Sequence, residues 1–384
     1  MKTLHPLLVS LRQRATAAAQ GTEKRLDALS EREAALEALR IVRKAGLTGF
    51  TVPERDGGAP TNGLCALETV SARALCAVRD ELAWHHGLLD LLFVEQGLGS
   101  FPIVLGGSPE LRAEVLPAVA SGEKIAAFAL TEPEAGSNLS DIATRATRTK
   151  SGWRLDGKKS FITNAGIAHF YSVLARTRGA PGEEGLSMFY VPADSKGLSV
   201  APFEVLAPHP IGDVTLAGVE LPERALLGRE DEGLGISLAT LGRFRTGVAA
   251  AANGMARRAL DESRAHLSQR KQFGRPLATF QALRFDVAEM DVRLRAAQLL
   301  VDEAAELVDE GGNAIAAVAR AKLFATESAS WICDRAVQHF GGLGVKRGSV
   351  VERLFRETRA LRIYEGTSEI QKLVLARELF EKKG

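Results

Sequence analysis

Residues 123–138 read EKIAAFALTEPEAGSN, and here the texture of the chain changes. Upstream, Ala, Leu, Glu and Arg dominate 11–49, and apolar residues recur at helical spacing: Leu26, Leu29, Ala34, Leu36, Leu39 and Val42. Punctuation at Pro53, Gly57-Gly58 and Pro60, then at Gly97, Gly99, Pro102 and Gly106-Gly107, predicts several helices joined by short loops. Downstream, β-type runs bounded by turn residues lie at 125–130, 152–155, 159–163, 170–176, 186–191, 198–203 and 214–221. Asp156-Gly157 between two of them predicts a hairpin, because Gly takes positive φ at little cost. Such short strands imply a small β-barrel or sandwich. From Glu232 helical texture returns. Phe280, Leu283, Val287, Met290, Leu294, Ala297, Val301 and Ala304 recur at steps of three and four, the seam of a helix bundle, and Gly311-Gly312 ends it. The chain therefore reads α, then β, then α, an α+β protein with domains expected at 1–122, 123–231 and 232–384.

Composition bounds the function. The 384 residues carry 49 Lys+Arg against 47 Asp+Glu, a net charge of +2, with 46% hydrophobic and 25% charged residues. That is the make-up of an ordinary folded protein of two or three domains, not of a disordered chain. The near-neutral balance argues against a nucleic-acid binder. Apolar runs are broken by charge, as around 84–93, so no membrane span is expected. Cys65, Cys76 and Cys333 form no CxxC pair and are odd in number, so neither a disulfide framework nor a metal site is expected, and a reducing cytoplasm is the expected compartment. The first twenty residues resemble an amphipathic helix more than a secretion signal; their Arg-bearing, acid-poor start also mimics a transit peptide, but it reads straight into a folded domain.

Two glycine motifs are set aside. Residues 152–160, GWRLDGKKS, nearly form a phosphate-binding loop, but Lys159 stands where Ser or Thr should be, and the flanks are β-type. Gly341-Gly342-Leu343-Gly344 lacks dinucleotide-fingerprint spacing and reads as a helix cap and turn, or as close backbone approach to a phosphate.

Four segments carry chemistry. Residues 128–138 and 159–166 are each a strand running into a polar loop; residues 270–277 are a basic break between helices; residues 362–371 read RIYEGTSEIQ. In the last, Glu365 stands beside apolar Ile363-Tyr364 and before Gly366, with Thr367 and Ser368 placed to cap a helix. A carboxylate next to an apolar pocket has a raised pKa and suits a general base; an ordinary helix-start Glu is the plainer alternative.

In this order, with residues 49–58 (GFTVPERDGG) and Leu116-Pro117, the segments resemble the acyl-CoA dehydrogenase family over essentially the whole chain. The resemblance implies an N-terminal helical domain, a middle β-barrel and a C-terminal four-helix bundle. It implies FAD-dependent α,β-dehydrogenation of an acyl-CoA thioester, with Glu365 as α-proton base and flavin N5 as hydride acceptor. Some relatives carry the base on the helix bearing Phe244, which cannot accept a proton. The resemblance implies FAD contacts from Phe128, Leu130, Thr131, Phe161, Ile162 and Thr163, with Phe161 where many relatives have Trp. It adds Arg270, Phe273, Gln281, Gln338, Gly341 and Gly342 for the adenine-diphosphate half, some from a neighbouring subunit, and Thr367 and Glu369 after the base. Ser137, Gly242, Arg245 and Gly366 match substrate positions. An electron-accepting flavoprotein partner, a homotetramer and a place in fatty acid metabolism are also implied.

The sequence departs from the family pattern at Gly242, where an acidic residue commonly contacts the pantetheine arm, at Asn138, and in the short loop 206–213. These departures keep two alternatives open: an acyl group on a carrier protein, or a flavin-binding relative with other chemistry. A purely helical scaffold without a cofactor is the non-enzymatic alternative.

Overall fold

A computed structural model describes residues 5–182 and 184–381. The first helices are α1 (Pro6–Ala19), α2 (Glu23–Asp27), α3 (Glu31–Lys44), α4 (Ala72–His85), α5 (Gly87–Gly106) and α6 (Pro109–Ala120). α1 buries Leu8, Leu11, Ala15 and Ala19, a stripe at three- and four-residue steps, as an amphipathic helix should; residues 1–4 of the leader reading lie outside the described residues. α3 opens with a capping box between Ser30 and Glu33. Of its expected seam, Ala34, Leu39 and Val42 are buried, but Leu36 is exposed, as is Leu29 in the turn before it.

The expected breaks at Gly97, Gly99 and Pro102 do not occur: α5 runs through all three. These glycines serve close approach instead. A Cβ on Gly97 would fall 2.2 Å from the Phe244 ring, and one on Gly99 2.5 Å from the Ala127 backbone nitrogen. α5 also corrects the expectation about apolar runs, since by length and composition it could cross a membrane; 89% of that window is buried inside the protein.

The strands are β1 (Ala126–Ala129), β2 (Arg145–Arg148), β3 (Gly152–Thr163), β4 (Phe170–Arg176), β5 (Leu186–Pro192), β6 (Leu198–Pro202), β7 (Ile211–Pro222) and β8 (Leu226–Leu227). They form one eight-stranded sheet in the order β6-β7-β3-β2-β4-β5-β8, with β1 pairing β4. No hairpin forms at Asp156-Gly157, because β3 continues along β7, with a register shift between Leu155 and Asp156 just before the dipeptide. Trp153 of β3 meets Phe189 of β5 with ring centroids 5.3 Å apart. Three strand spacings of ~4.8 Å separate those strands in a flat sheet, so the sheet curls in barrel fashion about one core. That core includes Leu155, Ile162, Val173, Val191, Val214 and Leu216.

The remaining elements are α7 (Gly233–Gln269), β9 (Lys271–Gln272), β10 (Arg275–Pro276), α8 (Gln281–Asp309), α9 (Ile315–Phe340), α10 (Val350–Leu361) and α11 (Ser368–Phe380). α9 packs against α8, α10 and α11. Met290, Leu294, Ala297, Val301 and Ala304 bury as the seam expects, while Phe280, Leu283 and Val287 are half-buried. The chain resolves into two compact units: residues 1–75 with 91–244, and 76–90 with 245–384.

Candidate active site

In the helical unit, the turn between α10 and α11 carries Glu365. Its φ is +53°, in the left-handed region, and the turn is pinned through its carbonyls. Arg245 Nε donates to the Glu365 carbonyl at 2.6 Å, while Lys322 Nζ and Gln371 Nε2 donate to the Gly366 carbonyl at 2.8 and 3.0 Å. Thr367 caps α11 by accepting from Ile370 N, and Glu327 holds both Arg362 and Ser368. These bonds fix the main chain on both sides of the carboxylate and leave the side chain unencumbered. Glu365 Oε2 is buried without a hydrogen-bond partner among the described residues. Burial raises its pKa above the ordinary carboxylate value, against the pull of Arg79, Arg245 and Lys322, and Asp90 adds to the rise. The Glu365 backbone N–H takes no backbone partner among the described residues. Phe244 is fully buried, edge-on to Phe101.

Lys322 was not legible as a site residue. It lies on α9 in the apolar progression Val318, Ala321, Ala325, Ala329, and is itself fully buried. Burial and the Arg245 charge push its pKa down to about 8, against the attraction of Glu365. A lysine on the apolar face of an Ala-rich helix was the available signal. Arg79, Asp90 and Gln371 were also missed.

In the sheet unit the first two motif loops are joined. Ser160 N donates to the Thr131 carbonyl at 2.9 Å, and fully buried Lys159 Nζ donates to the Leu130 carbonyl at 2.9 Å and to Glu132 at 2.7 Å. Thr163 Oγ1 lies 2.8 Å from His209 Nε2, and burial pushes the His209 pKa down to about 4. Leu130 and Ile162 are buried, Ile162 within the sheet core, so they offer mainly backbone. Phe128 and Thr131 are half-buried and Ser137 is exposed. Phe161 is 62% exposed with φ +57°.

A third group lies at the ends of α7 and α9, in the helical unit. Arg270 opens the β9–β10 hairpin, whose tip Phe273 is 90% exposed with φ +50°. His266 near the end of α7 stacks on Phe340 at the end of α9, with ring centroids 4.1 Å apart; Gln338 lies on α9, and Gly341 and Gly342 follow it. Gln281 starts α8, and Glu369 lies in the first turn of α11.

The residues fit a flavin dinucleotide. Positive φ is strained for an aromatic residue, and such strain persists where the surroundings over-determine it. Phe161 and Phe273 combine that strain with exposed rings, which suits stacking against a planar partner. A Cβ at Gly341 or Gly342 would meet nothing within 4 Å, so backbone there is open to a phosphate. Arg270 carries a planar guanidinium, a group suited to pairing with a diphosphate.

Comparison with known proteins bears on the family of the chain. The family descriptions for the N-terminal, middle and C-terminal domains of acyl-CoA dehydrogenase match residues 10–123, 127–219 and 231–380. The chain is 35% identical to cyclohexane-1-carbonyl-CoA dehydrogenase of Geobacter metallireducens, covering 90% of this chain and 89% of that one. It is 34% identical to subunit CarC of the caffeyl-CoA reductase-Etf complex of Acetobacterium woodii, covering 90% of each. The structure of a glutaryl-CoA dehydrogenase from Mycobacterium smegmatis in complex with FADH2 superposes with a TM-score of 0.88 at 26% identity, covering 99% of this chain and 96% of that one. The chain belongs to the acyl-CoA dehydrogenase family.

Proposed function

We propose that this protein is an FAD-dependent acyl-CoA dehydrogenase in which Glu365 removes the α-proton of the acyl thioester. The observation that carries the reading is the buried, unpartnered Glu365 Oε2 on a turn held rigid through its own carbonyls. A base works best when its pKa approaches the operating pH, and burial moves Glu365 in that direction. Its backbone N–H donates to the thioester carbonyl as enolate charge develops there. Arg245 and Lys322 steady the loop and offset the negative charge of the ionised base. Bound FAD supplies the acceptor for the β-hydride.

The flavin is held by Phe128, Leu130, Thr131, Phe161, Ile162 and Thr163. Its adenine-diphosphate half is held by Arg270, Phe273, Gln281, Gln338, Gly341 and Gly342, in part from a neighbouring subunit. Thr367 and Glu369 follow the base on the same motif, and Ser137, Gly242 and Gly366 with Arg245 meet the substrate. The domain divisions at 1–122, 123–231 and 232–384 describe these functional segments. Reoxidation falls to an electron-transferring flavoprotein, in keeping with the Etf complex of the Acetobacterium relative. A homotetramer acting in fatty acid metabolism in the cytoplasm completes the reading.

The test is anaerobic mixing with a panel of acyl-CoAs while flavin absorbance is followed. Bleaching by at least one acyl-CoA is expected. Reduction only by acyl groups on a carrier protein would replace the coenzyme A assignment, and reduction by neither would end the dehydrogenase reading.

A further inference from the structure

Arg79 on α4 and Asp90 on α5 form an ion pair with side chains 1% and 3% exposed. The carboxylate takes Nε at 2.6 Å and Nη2 at 2.9 Å, which completes a bidentate pair. Nη1 is left buried with no partner among the described residues. Guanidinium donors sit in a fixed fork, so pinning two of them also fixes the direction of the third. Packing leaves room for the group: a Cβ on Gly247 would lie 2.8 Å from both Arg79 Cδ and Nη1. The corner between α4 and α5 packs on α10, whose end leads into Glu365: Arg353 Nη2 donates to the His85 carbonyl at 2.9 Å, and a Cβ on Gly87 would lie 3.0 Å from Glu357 Cδ. Arg79 is also the strongest charge drawing the Glu365 carboxyl down. Two buried polar atoms without partners, Glu365 Oε2 and Arg79 Nη1, therefore belong to one neighbourhood of the helical unit. The first has a task in the reaction; the ion pair gives the second none.

We infer that the acyl group taken by this site carries a neutral oxygen acceptor, a hydroxyl or carbonyl beyond its β-carbon, and that Arg79 Nη1 donates a hydrogen bond to it. The inference rests on the acyl-CoA reading above and narrows its substrate class. The partner must be an acceptor, because guanidinium only donates. It must be neutral, because Asp90 already matches the Arg79 charge, Glu357 adds negative charge beside Asp90, and Arg245 and Lys322 are already set against Glu365. A further carboxylate beside Arg79 would meet a cation whose charge Asp90 already answers, with both Nε and Nη2 taken. The oxygen lies beyond the β-carbon because the α- and β-carbons are the ones that lose hydrogen.

The experiment uses the holoenzyme carrying Glu365→Gln, which binds substrate without turning it over. Calorimetry compares ω-hydroxyacyl-CoAs of four to six carbons and 5-oxohexanoyl-CoA with the matched unsubstituted acyl-CoAs and with glutaryl-CoA. The best oxygen-bearing ligand is expected to bind about 10-fold or more tightly than its unsubstituted match, the worth of a hydrogen bond to a charged donor. Adding Arg79→Met with Asp90→Leu removes both members of the buried pair, which such sites often tolerate. That variant should lose the preference while keeping its affinity for the unsubstituted ligand. Arg79→Lys, which keeps the charge and loses the fork, should also lose the preference, and it carries the test should the double variant not fold. Equal affinity for both series in the parent overturns the inference. So does a preference that survives these variants, or a glutaryl-CoA affinity above that of every neutral ligand. Binding of unsubstituted acyl-CoAs without preference sinks this inference alone; failure of every acyl-CoA to bind sinks the acyl-CoA reading with it.

Discussion

Glu365 combines three unfavourable features: a left-handed backbone, burial, and an oxygen without a partner. Each costs folding free energy, and together they describe a group kept for chemistry. Glu365→Gln keeps the shape and removes the basicity, so turnover should fall by about 10²–10⁴-fold or more while the thermal melt and flavin content stay near wild type. The rate should depend on pH with a definite sign. A base acts when deprotonated, and the Glu365 pKa is raised, so kcat/KM should rise with pH through a value above that of a free glutamate. The same shift makes the folded state hold that proton more firmly than the unfolded chain does. The resulting stability is complete below the unfolded pKa and is lost as pH rises through the folded one. Lys322→Met removes a cation that lowers the Glu365 pKa and a donor to the Gly366 carbonyl. Its pH–rate profile should therefore move further up in pH, and kcat should drop; a profile that stays put would show that Lys322 only braces the loop. The motif around Glu365, a carboxylate between an apolar pair and a glycine, left an ordinary helix-start Glu as the plainer reading, and the resemblance to the family is what put it forward as the base. Lys322 and Arg79 were passed over because charges on helices are ordinarily solvated, and only the folded packing shows that these two are not.

At the scale of elements, α5 shows how local signals yield to tertiary context. Gly97, Gly99 and Pro102 look like helix breakers, yet the helix is continuous because two glycines are needed for close packing. Gly99→Ala should be costly, since its Cβ would lie 2.5 Å from a backbone nitrogen and 2.7 Å from Ala126 Cβ, and neither neighbour can rotate away. A loss of about 1–3 kcal/mol is expected, read as a lower midpoint in thermal or urea unfolding, with little direct effect on the acid–base step. The Asp156-Gly157 misreading has the same origin. The dipeptide is a strong hairpin signal, but β3 pairs with β7 on both sides of it and with β2 over 153–156, and continuing the strand satisfies more backbone groups than turning would. The β-rich middle and helical flanks were legible from texture. The order of the strands was not, because non-local pairings such as β3 with β7 leave no mark in a local window.

At the scale of the whole molecule, surface apolarity argues for assembly. Phe285, Val292 and Leu299 on α8 are 63%, 63% and 53% exposed and lie seven residues apart, so they share one face of the helix. Single exposed apolar residues are normal, but a stripe extending over four turns is what an interface provides. The tip aromatic Phe273, 90% exposed on strained backbone with its ring 6.2 Å from that of Phe280, is a second group open to a partner. If subunits complete one another's dinucleotide sites, assembly and cofactor retention should fail together. Light scattering of the purified protein should give a mass near four chains. Val292→Glu, combined with Phe285→Ser if needed, should shift that mass downward, because a buried unpaired carboxylate is not tolerated at an interface core. The smaller species should also lose FAD on gel filtration, although neither residue belongs to the proposed flavin contacts. Phe273→Ala provides the complementary case, with assembly intact and FAD more weakly held. Dissociated subunits that keep FAD in full would show that each chain holds its cofactor alone, and a wild-type mass of one chain would remove the tetramer from the proposal.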